Sequence, residues 1–484
     1  MALHQARAPV QIDRMETCLT LSAAEQAAAI ARGRLTAETL MEATLDRIGA
    51  VNGAVNAIVS LRASEELLAE ARAADCATPA GPLHGLPIAI KDLANVRGLP
   101  TSMGSPAFAG QVAEADDPHV ARLRAAGAIF IGKTNTPEFG LGSHTYNPVH
   151  GTTRNPYALD RTCGGSSGGA AVALAAGMLT LADGSDMMGS LRNPAGWNNV
   201  YGMRPSWGRV PSGGGGELYL HRLSTLGPMA RCPADLALQL DVMSGAERMQ
   251  PMTRDAAPCG TPEPRARGRR IAWLRDWGGA WPMEEGILAL CESALGVLDA
   301  AGAGVDATAA PFDRDALWQS WITLRSWSNA ADLGPLLDDP ATAGQLKPAA
   351  LWEIEQGRAL SALDVHRASL IRSDWYREAM TLFETHDVLA LPTAQAWPFP
   401  ADIDWPKEIA GTQMDTYHRW MEVTIPASLL GLPVVAIPAG FGAAGLPMGV
   451  QLIGAPGTDA MLLEIAEAYH RATDWPRARP PLLS

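Results

Sequence analysis

A chain of 484 residues, 47% of them hydrophobic, can bury a large core, and the length allows about three domains or one oversized enzyme domain. The formal charge of −13 lacks the basic footprint that nucleic acid requires, and without Lys/Arg-rich runs nothing draws the chain to an anionic membrane. No apolar stretch approaches the ~20 residues of a spanning helix, and the opening MALHQARAPVQIDRMETC has no signal-peptide core. Six scattered cysteines without a CxxC pair read as reduced thiols, and no histidine spacing resembles HExxH. These features together predict a soluble, cytoplasmic protein needing neither metal nor cofactor.

In chain order, residues 20–75 read as helices: LSAAEQAAAIARG, TAETLMEATLDRIGAVN and ASEELLAEARAA, each ending at a glycine, asparagine or polar break. From residue 83 the texture changes to short apolar runs closed by glycine and polar residues (LHGLPIAIKD, AGAIFIGKT, MLTLADGS), the pattern of buried strands. The helical DPHVARLRAAG lies between two of them, which predicts a sheet covered by helices on both faces. PSGGGG at 211–216 reads as a flexible loop and PCGTPEPRARGRR near 258–270 as a connection inside one body. Strand-like IAWL and helical EEGILALCESALGVLDAAG follow, and HDVLALPT and LPVVAIPAG resume the strand texture. Between those last two, residues 394–411 are proline-rich and aperiodic, and a long irregular loop in a compact domain is usually functional.

Two short patterns are met only formally. GAIFIGKT (127–134) satisfies the phosphate-loop expression, but its variable positions are strand-forming and NTPEFG follows where a helix should begin. GGSSG (164–168) satisfies the nucleophile-elbow expression; AAVALAAG can supply the helix after it, but polar RNPYALDRTC is a poor strand before it. An elbow would also need a histidine, for which His221, His366, His386 and His418 offer no distinguishing context. A third reading joins the serine cluster to LHGLPIAIKD, which ends in Lys91, and to DGSDMMGSLRNPAG, which holds Ser190. A lysine turned inward loses its charge to desolvation and becomes a base for a serine hydroxyl, with a second hydroxyl able to relay the proton.

HGLPIAIKD, GKTNTPEFG, NPYALDRTCGGSSGGAAVALAAG and GSDMMGSLRNPA closely resemble the amidase signature family of serine hydrolases. The resemblance continues through YGMRPSWGRVPSGG, LGPMAR, DVLALPT and GLPVVAIPAGF…GLPMGVQLIG, covering about residues 20–470 in the family's order. It implies Ser190 as nucleophile, Ser166 as bridging serine on a cis Gly165–Ser166 peptide, and Lys91 as terminal base, with Ser167 holding the loop. It also implies an oxyanion hole from the backbone of residues 187–190, chiefly Met187, Met188 and Gly189, with Asp186 bracing the loop and Arg192 anchoring it. The family usually carries Gly-Gly before the nucleophile, whereas this chain has Met188-Gly189. A methionine there predicts ordinary backbone angles, with Met188 in the core or bordering the substrate.

The expected fold is therefore one α/β/α domain with a central mixed sheet. An N-terminal helical segment (1–75) packs on an amidase signature domain (76–478), within which 83–235 is the catalytic core and 310–425 a substrate-pocket insert. Trp318, Trp321 and Arg325 share one helical face, while Trp397, Trp405, Tyr417 and Trp420 lie in or beside the proline-rich segment. Clustered aromatics predict a pocket rim of Met188, Trp318, Trp321, Trp397 and Trp405 for bulky apolar or aromatic amides. A looser resemblance, to the family's urethane-cleaving members, adds carbamates. The only partner expected is the small-molecule substrate, for a monomer or homodimer. The alternative role within the family is the glutaminase-type subunit of a tRNA-dependent amidotransferase, disfavoured by the acidic charge and the lack of a tRNA-binding extension.

Overall fold

A computed structural model of the chain describes residues 18–213 and 216–481. The opening segment and two glycines of the PSGGGG loop thus lie outside the described residues. Eleven strands form one mixed sheet: β1 (Ile58–Val59), β2 (Pro87–Lys91), β3 (Ile129–Thr134), β4 (Leu181–Asp186), β5 (Tyr201–Arg204), β6 (Thr225–Ala230), β7 (Arg270–Trp273), β8 (Gly304–Ala307), β9 (Val388–Pro392), β10 (Val434–Phe441) and β11 (Pro447–Gly454). Their spatial order is β1-β3-β2-β4-β6-β5-β10-β11-β9-β7-β8. The β3-β2-β4 and β9-β7-β8 neighbours are parallel, and the remaining pairs are antiparallel.

The inner strands β9, β10 and β11 read as nearly unbroken apolar runs because both faces are covered. In β2, Ile88 and Ile90 pack with Leu236 and Leu240 of the helix Pro233–Met243, on one face. Ala89 between them points the other way, with Val172 and Leu174 of the helix Gly168–Ala175 and Val51 and Val55 of the helix Ala37–Val55. Every residue of Gly168–Ala175 is buried, which its composition of Gly, Ala, Val and Leu permits at close approach.

The helices expected before residue 75 are Ala23–Ala31, Ala37–Val55 and Ser64–Asp75. The first is pinned to the core where Ala23 N–H donates 2.8 Å to the buried Asp235 carboxylate. β1, in the same segment, was not anticipated: two residues pair antiparallel with Thr134 and Lys133 and extend the sheet by one edge strand. Between β8 and β9 the chain leaves the sheet as three helices, Arg314–Asp338, Pro348–Arg358 and Ala362–Phe383, the outer two packed on the first. The segment after β9 stays irregular up to residue 418 except for the two-residue strands Glu408–Ile409 and Thr412–Gln413, and is followed by the 3-10 turn Arg419–Thr424 and the helix Ile425–Leu430.

The two formal motif matches fail on their context. Residues 129–134 of GAIFIGKT are β3, buried throughout, and Lys133 Nζ donates to Ala94 O and Thr101 Oγ1, inside the core where no phosphate reaches. Ser166 is followed by a helix, but the preceding strand, Ala158–Thr162, belongs to a separate two-stranded ribbon and not to the main sheet.

Candidate active site

β2 and β4 run parallel, so their carboxyl ends lie side by side at one edge of the sheet, where open α/β sheets place their chemistry. Lys91 ends β2, and Ser185 and Asp186 end β4. The Lys91 backbone N–H donates 2.7 Å to Asp183 Oδ1, which ties the two strands together at that point. Lys91 is 1% exposed, and its Nζ lies 2.7 Å from Ser166 Oγ, 2.9 Å from Ser167 Oγ and 3.0 Å from Ser185 Oγ. Burial pulls its pKa down to about 7, against the opposing pull of Asp183 and Asp186. Asp92, the adjacent acid in sequence, faces away and bonds Ser102 and the buried Lys133.

Ser166 lies beyond a cis Gly165–Ser166 peptide, just before the helix Gly168–Ala175. Ser167 does more than brace the loop, because it touches Lys91 directly and its N–H donates 3.1 Å to Ser190 O. This proximity is possible because Gly184 in β4 has no side chain: a Cβ there would fall 2.5 Å from Ser167 Oγ.

The turn after β4 is held by Asp186. Its carboxylate accepts from Gly189 N–H at 2.9 Å, Leu191 N–H at 3.1 Å, Arg192 Nε at 3.0 Å and Arg192 Nη2 at 2.9 Å. Arg204 adds a further bond at 3.2 Å. Burial alone would raise this carboxyl, but Arg192 and Arg204 hold it far below the usual carboxylate range. Arg192 also donates to Thr424 O, Gln451 Oε1 and Ser428 Oγ, which fastens the turn to β11 and to the helical segment around residues 424–428.

The Gly189 amide, expected among the oxyanion donors, is thus spent on Asp186. Among the described residues, the amides of Met187, Met188 and Ser190 have no acceptor. Met188 takes ordinary angles while Gly189 carries the positive φ, +83°, and a Cβ on Gly189 would meet Thr424 Cγ2 at 2.7 Å. Met188 is 3% exposed within the core, as one expectation had it, and it also borders a cavity.

That cavity, about 100 Å³, is lined by Ser166, Ser185, Ser190, Met187 and Met188, together with Leu93, Leu141, Arg325 and Asn329. Through Leu141, Gly142 and Ser143 it shares a wall with a more apolar cavity of about 280 Å³, whose rings are Tyr146, Trp352, Trp405, Tyr417 and Trp420. Lys347 donates 2.7 Å to Leu141 O at this dividing wall, and burial lowers its pKa to about 8.

Of the tryptophans expected at the pocket, only Trp405 lines a cavity beside the site. Trp318 packs between Arg419 and His418, Trp321 is wholly buried, and Trp397 is bound to Glu284 and Glu285. Helical periodicity shows which residues share a face, and this face is turned largely into the protein. His418 is no catalytic base either: it is buried among Trp318, Trp352 and Tyr417, and desolvation drives its pKa to about 3. Ser185, Asn329, Trp352 and Gly142 were not anticipated. Trp352 and Asn329 carry no motif, whereas Ser185 directly precedes the Asp186 that the resemblance had already singled out. Among the described residues, no group of His, Cys, Asp and Glu is placed to hold a metal ion.

Residues 39–463 match the family model described as Amidase. An acylamidase of Rhodococcus erythropolis is 33% identical over 470 residues, 95% of this chain and 97% of that protein. A glutamyl-tRNA(Gln) amidotransferase subunit from Chloroflexus aggregans is 36% identical over 496 residues, 96% of this chain and 98% of that one. A bacterial aryl acylamidase of the amidase signature enzymes superposes with a TM-score of 0.87 at 27% identity, covering 98% of this chain and all of that one. Sequence, sheet and site agree: the chain belongs to the amidase signature family of hydrolases acting on carbon–nitrogen bonds.

Proposed function

We propose that the protein is a self-sufficient amidase that cleaves bulky apolar or aromatic amides, and carbamates, through an acyl-enzyme on Ser190. The observation that carries this reading is a buried lysine amine 2.7 Å from Ser166 in the cavity that also holds Ser190. A neutral amine has two N–H donors and one lone pair. Ser167 and Ser185 take the donors, and the lone pair is left for the proton of Ser166.

Ser190 Oγ attacks the carbonyl carbon while its proton passes to Ser166 Oγ, whose own proton passes to Lys91 Nζ. The carbonyl oxygen gains negative charge facing the amides of Met187, Met188 and Ser190, and each such donor is worth about 3 kcal/mol of barrier. As the C–N bond breaks, the proton returns through Ser166 to the departing amine. Water, deprotonated by the same relay, then releases the acid and restores Ser190. The aromatic cavity with Trp405 takes the bulk of the substrate. A carbamate follows the same path: loss of its amine leaves a carbonate ester on Ser190, and water releases a monoalkyl carbonic acid that loses carbon dioxide to give the alcohol.

The amidotransferase relative supports a second reading, in which the chain works only inside a partner complex. Purified chain alone, without ATP, glutamine or partner, should hydrolyse a chromogenic anilide. A fluorophosphonate should label Ser190, as read by peptide mass spectrometry. No turnover without partners selects the second reading, and an adduct on Ser166 overturns the assigned roles.

A further inference from the structure

The helix Arg314–Asp338 brings two polar side chains to the cavity that the proposed chemistry does not use: Arg325 and, one turn on, Asn329. Both are more than nine-tenths buried, at 4% and 6% exposed. Asn329 Nδ2 has no acceptor. Arg325 Nε donates 2.7 Å to Glu353 and Nη2 donates 2.8 Å to Tyr417, but Nη1 finds only Met187 Sδ at 3.1 Å. A thioether is a weak acceptor for a guanidinium, and a buried amide donor without a partner is costly. Two residues that line the cavity are therefore each short of an acceptor oxygen.

The charge balance narrows what that oxygen belongs to. Glu353 already neutralises Arg325, and Tyr417 and Ser326 each donate 2.7 Å to Glu353. A carboxylate on the substrate would be an additional buried charge: the one cation lining this cavity among the described residues, Arg325, is already neutralised, and Lys347 lines only the neighbouring cavity. A neutral carbonyl meets no such penalty. Ser166 serves the departing amine in the reading above, which leaves the acyl part of the substrate for this subsite.

We propose that Arg325 and Asn329 form a specificity subsite for a neutral acceptor oxygen (a ketone, amide, ester or urethane carbonyl) carried on the acyl part of the substrate. The subsite rests on the acyl-enzyme reading above, and the test separates the two. The p-nitroanilides of 4-oxopentanoic, 4-methylpentanoic and succinic acids share one skeleton and differ at one end: a carbonyl, a branched methyl or a carboxylate. Wild-type kcat/KM should be about tenfold higher for the 4-oxopentanoyl anilide than for either of the others. Asn329→Leu should bring the ratio of 4-oxopentanoyl to 4-methylpentanoyl to within about twofold of unity. Asn329→Asp, which replaces the donor at constant size, reads the same ratio if the leucine variant does not fold. Equal wild-type rates on those two anilides, a preference for the succinyl anilide, or a ratio that survives both substitutions overturns the subsite. Retained turnover of all three anilides in Ser190→Ala overturns the acyl-enzyme reading instead.

Discussion

Residues 83–235 and 310–425 face the same cavity and supply it differently. The first supplies Lys91, Ser166, Ser185 and Ser190 from strand ends and tight turns, where backbone geometry fixes each group. The second supplies Arg325 and Asn329 from the flank of a long helix, and Trp352, Trp405 and Tyr417 from around the neighbouring space. In the proposed mechanism a proton moves over 2.7 Å and needs strand-end precision, while groups that only shape a space tolerate replacement. The reacting half is accordingly written in contiguous motifs, whereas the shaping half is spread over a hundred residues without one.

The sharpest way to break this contrast is Ser190→Ala. Turnover should fall by at least about 10⁴-fold. The thermal midpoint should hardly move, because Ser190 serves its turn through its carbonyl, which alanine keeps. Residual activity within tenfold of wild type would remove Ser190 from the nucleophile role.

Lys91→Ala comes next, at about 10²–10⁴-fold for amides. Esters should suffer less, since an alkoxide leaving group depends less on the returned proton. The base must be neutral, and burial sets its pKa at about 7, so kcat/KM should rise with pH through that value as the ammonium loses its proton. The variant should lose this acid limb. A limb that persists in Lys91→Ala, or one that disappears on replacing His418, would show that another group is the base.

Gly189→Ala tests how strictly the turn is held. The positive φ and the contact with Thr424 should cost about 1–3 kcal/mol of stability. Displacement of the neighbouring amides should slow turnover by about 10²-fold, read as kcat with KM little changed. A variant with full rate and full stability would mean the turn is not preorganised.

The smallest effects belong to the shaping half. Trp405→Ala should raise KM for bulky aryl amides by about tenfold relative to acetamide-sized ones. Trp321→Ala, a core truncation, should lower stability by about 3–5 kcal/mol and leave the ratio of bulky to small substrates alone. If the two tryptophans exchange these signatures, the apolar cavity is not the substrate's.

The reading of the sequence was strongest where a residue's surroundings are its own neighbours. LPIAIK is five-sixths apolar, so a buried strand is legible from those six positions, whereas the inward turn of its closing lysine was implied only by the family resemblance. What opposes Lys91's loss of charge was not legible: Asp183 and Asp186 lie more than ninety residues away and arrive only because β2 and β4 pair in parallel. Asp186 was expected to brace the turn, yet that its bracing consumes the Gly189 amide is visible only in the folded turn. The Trp318–Trp321–Arg325 stripe was correctly placed on one helix, but what that helix faces depends on two later helices and on residues 417–420.

By itself, then, the sequence determined several of the strands and the family, and through the family resemblance it named the candidate reacting residues, since periodicity, turn chemistry and ordered motifs are properties of adjacent positions. The tertiary structure decided which amides stay free around Ser190, which tryptophan borders a cavity, and that Arg325 and Asn329 reach the site at all. Those outcomes depend on distances between segments far apart in the chain, set by how the sheet pairs and how the helices cover it.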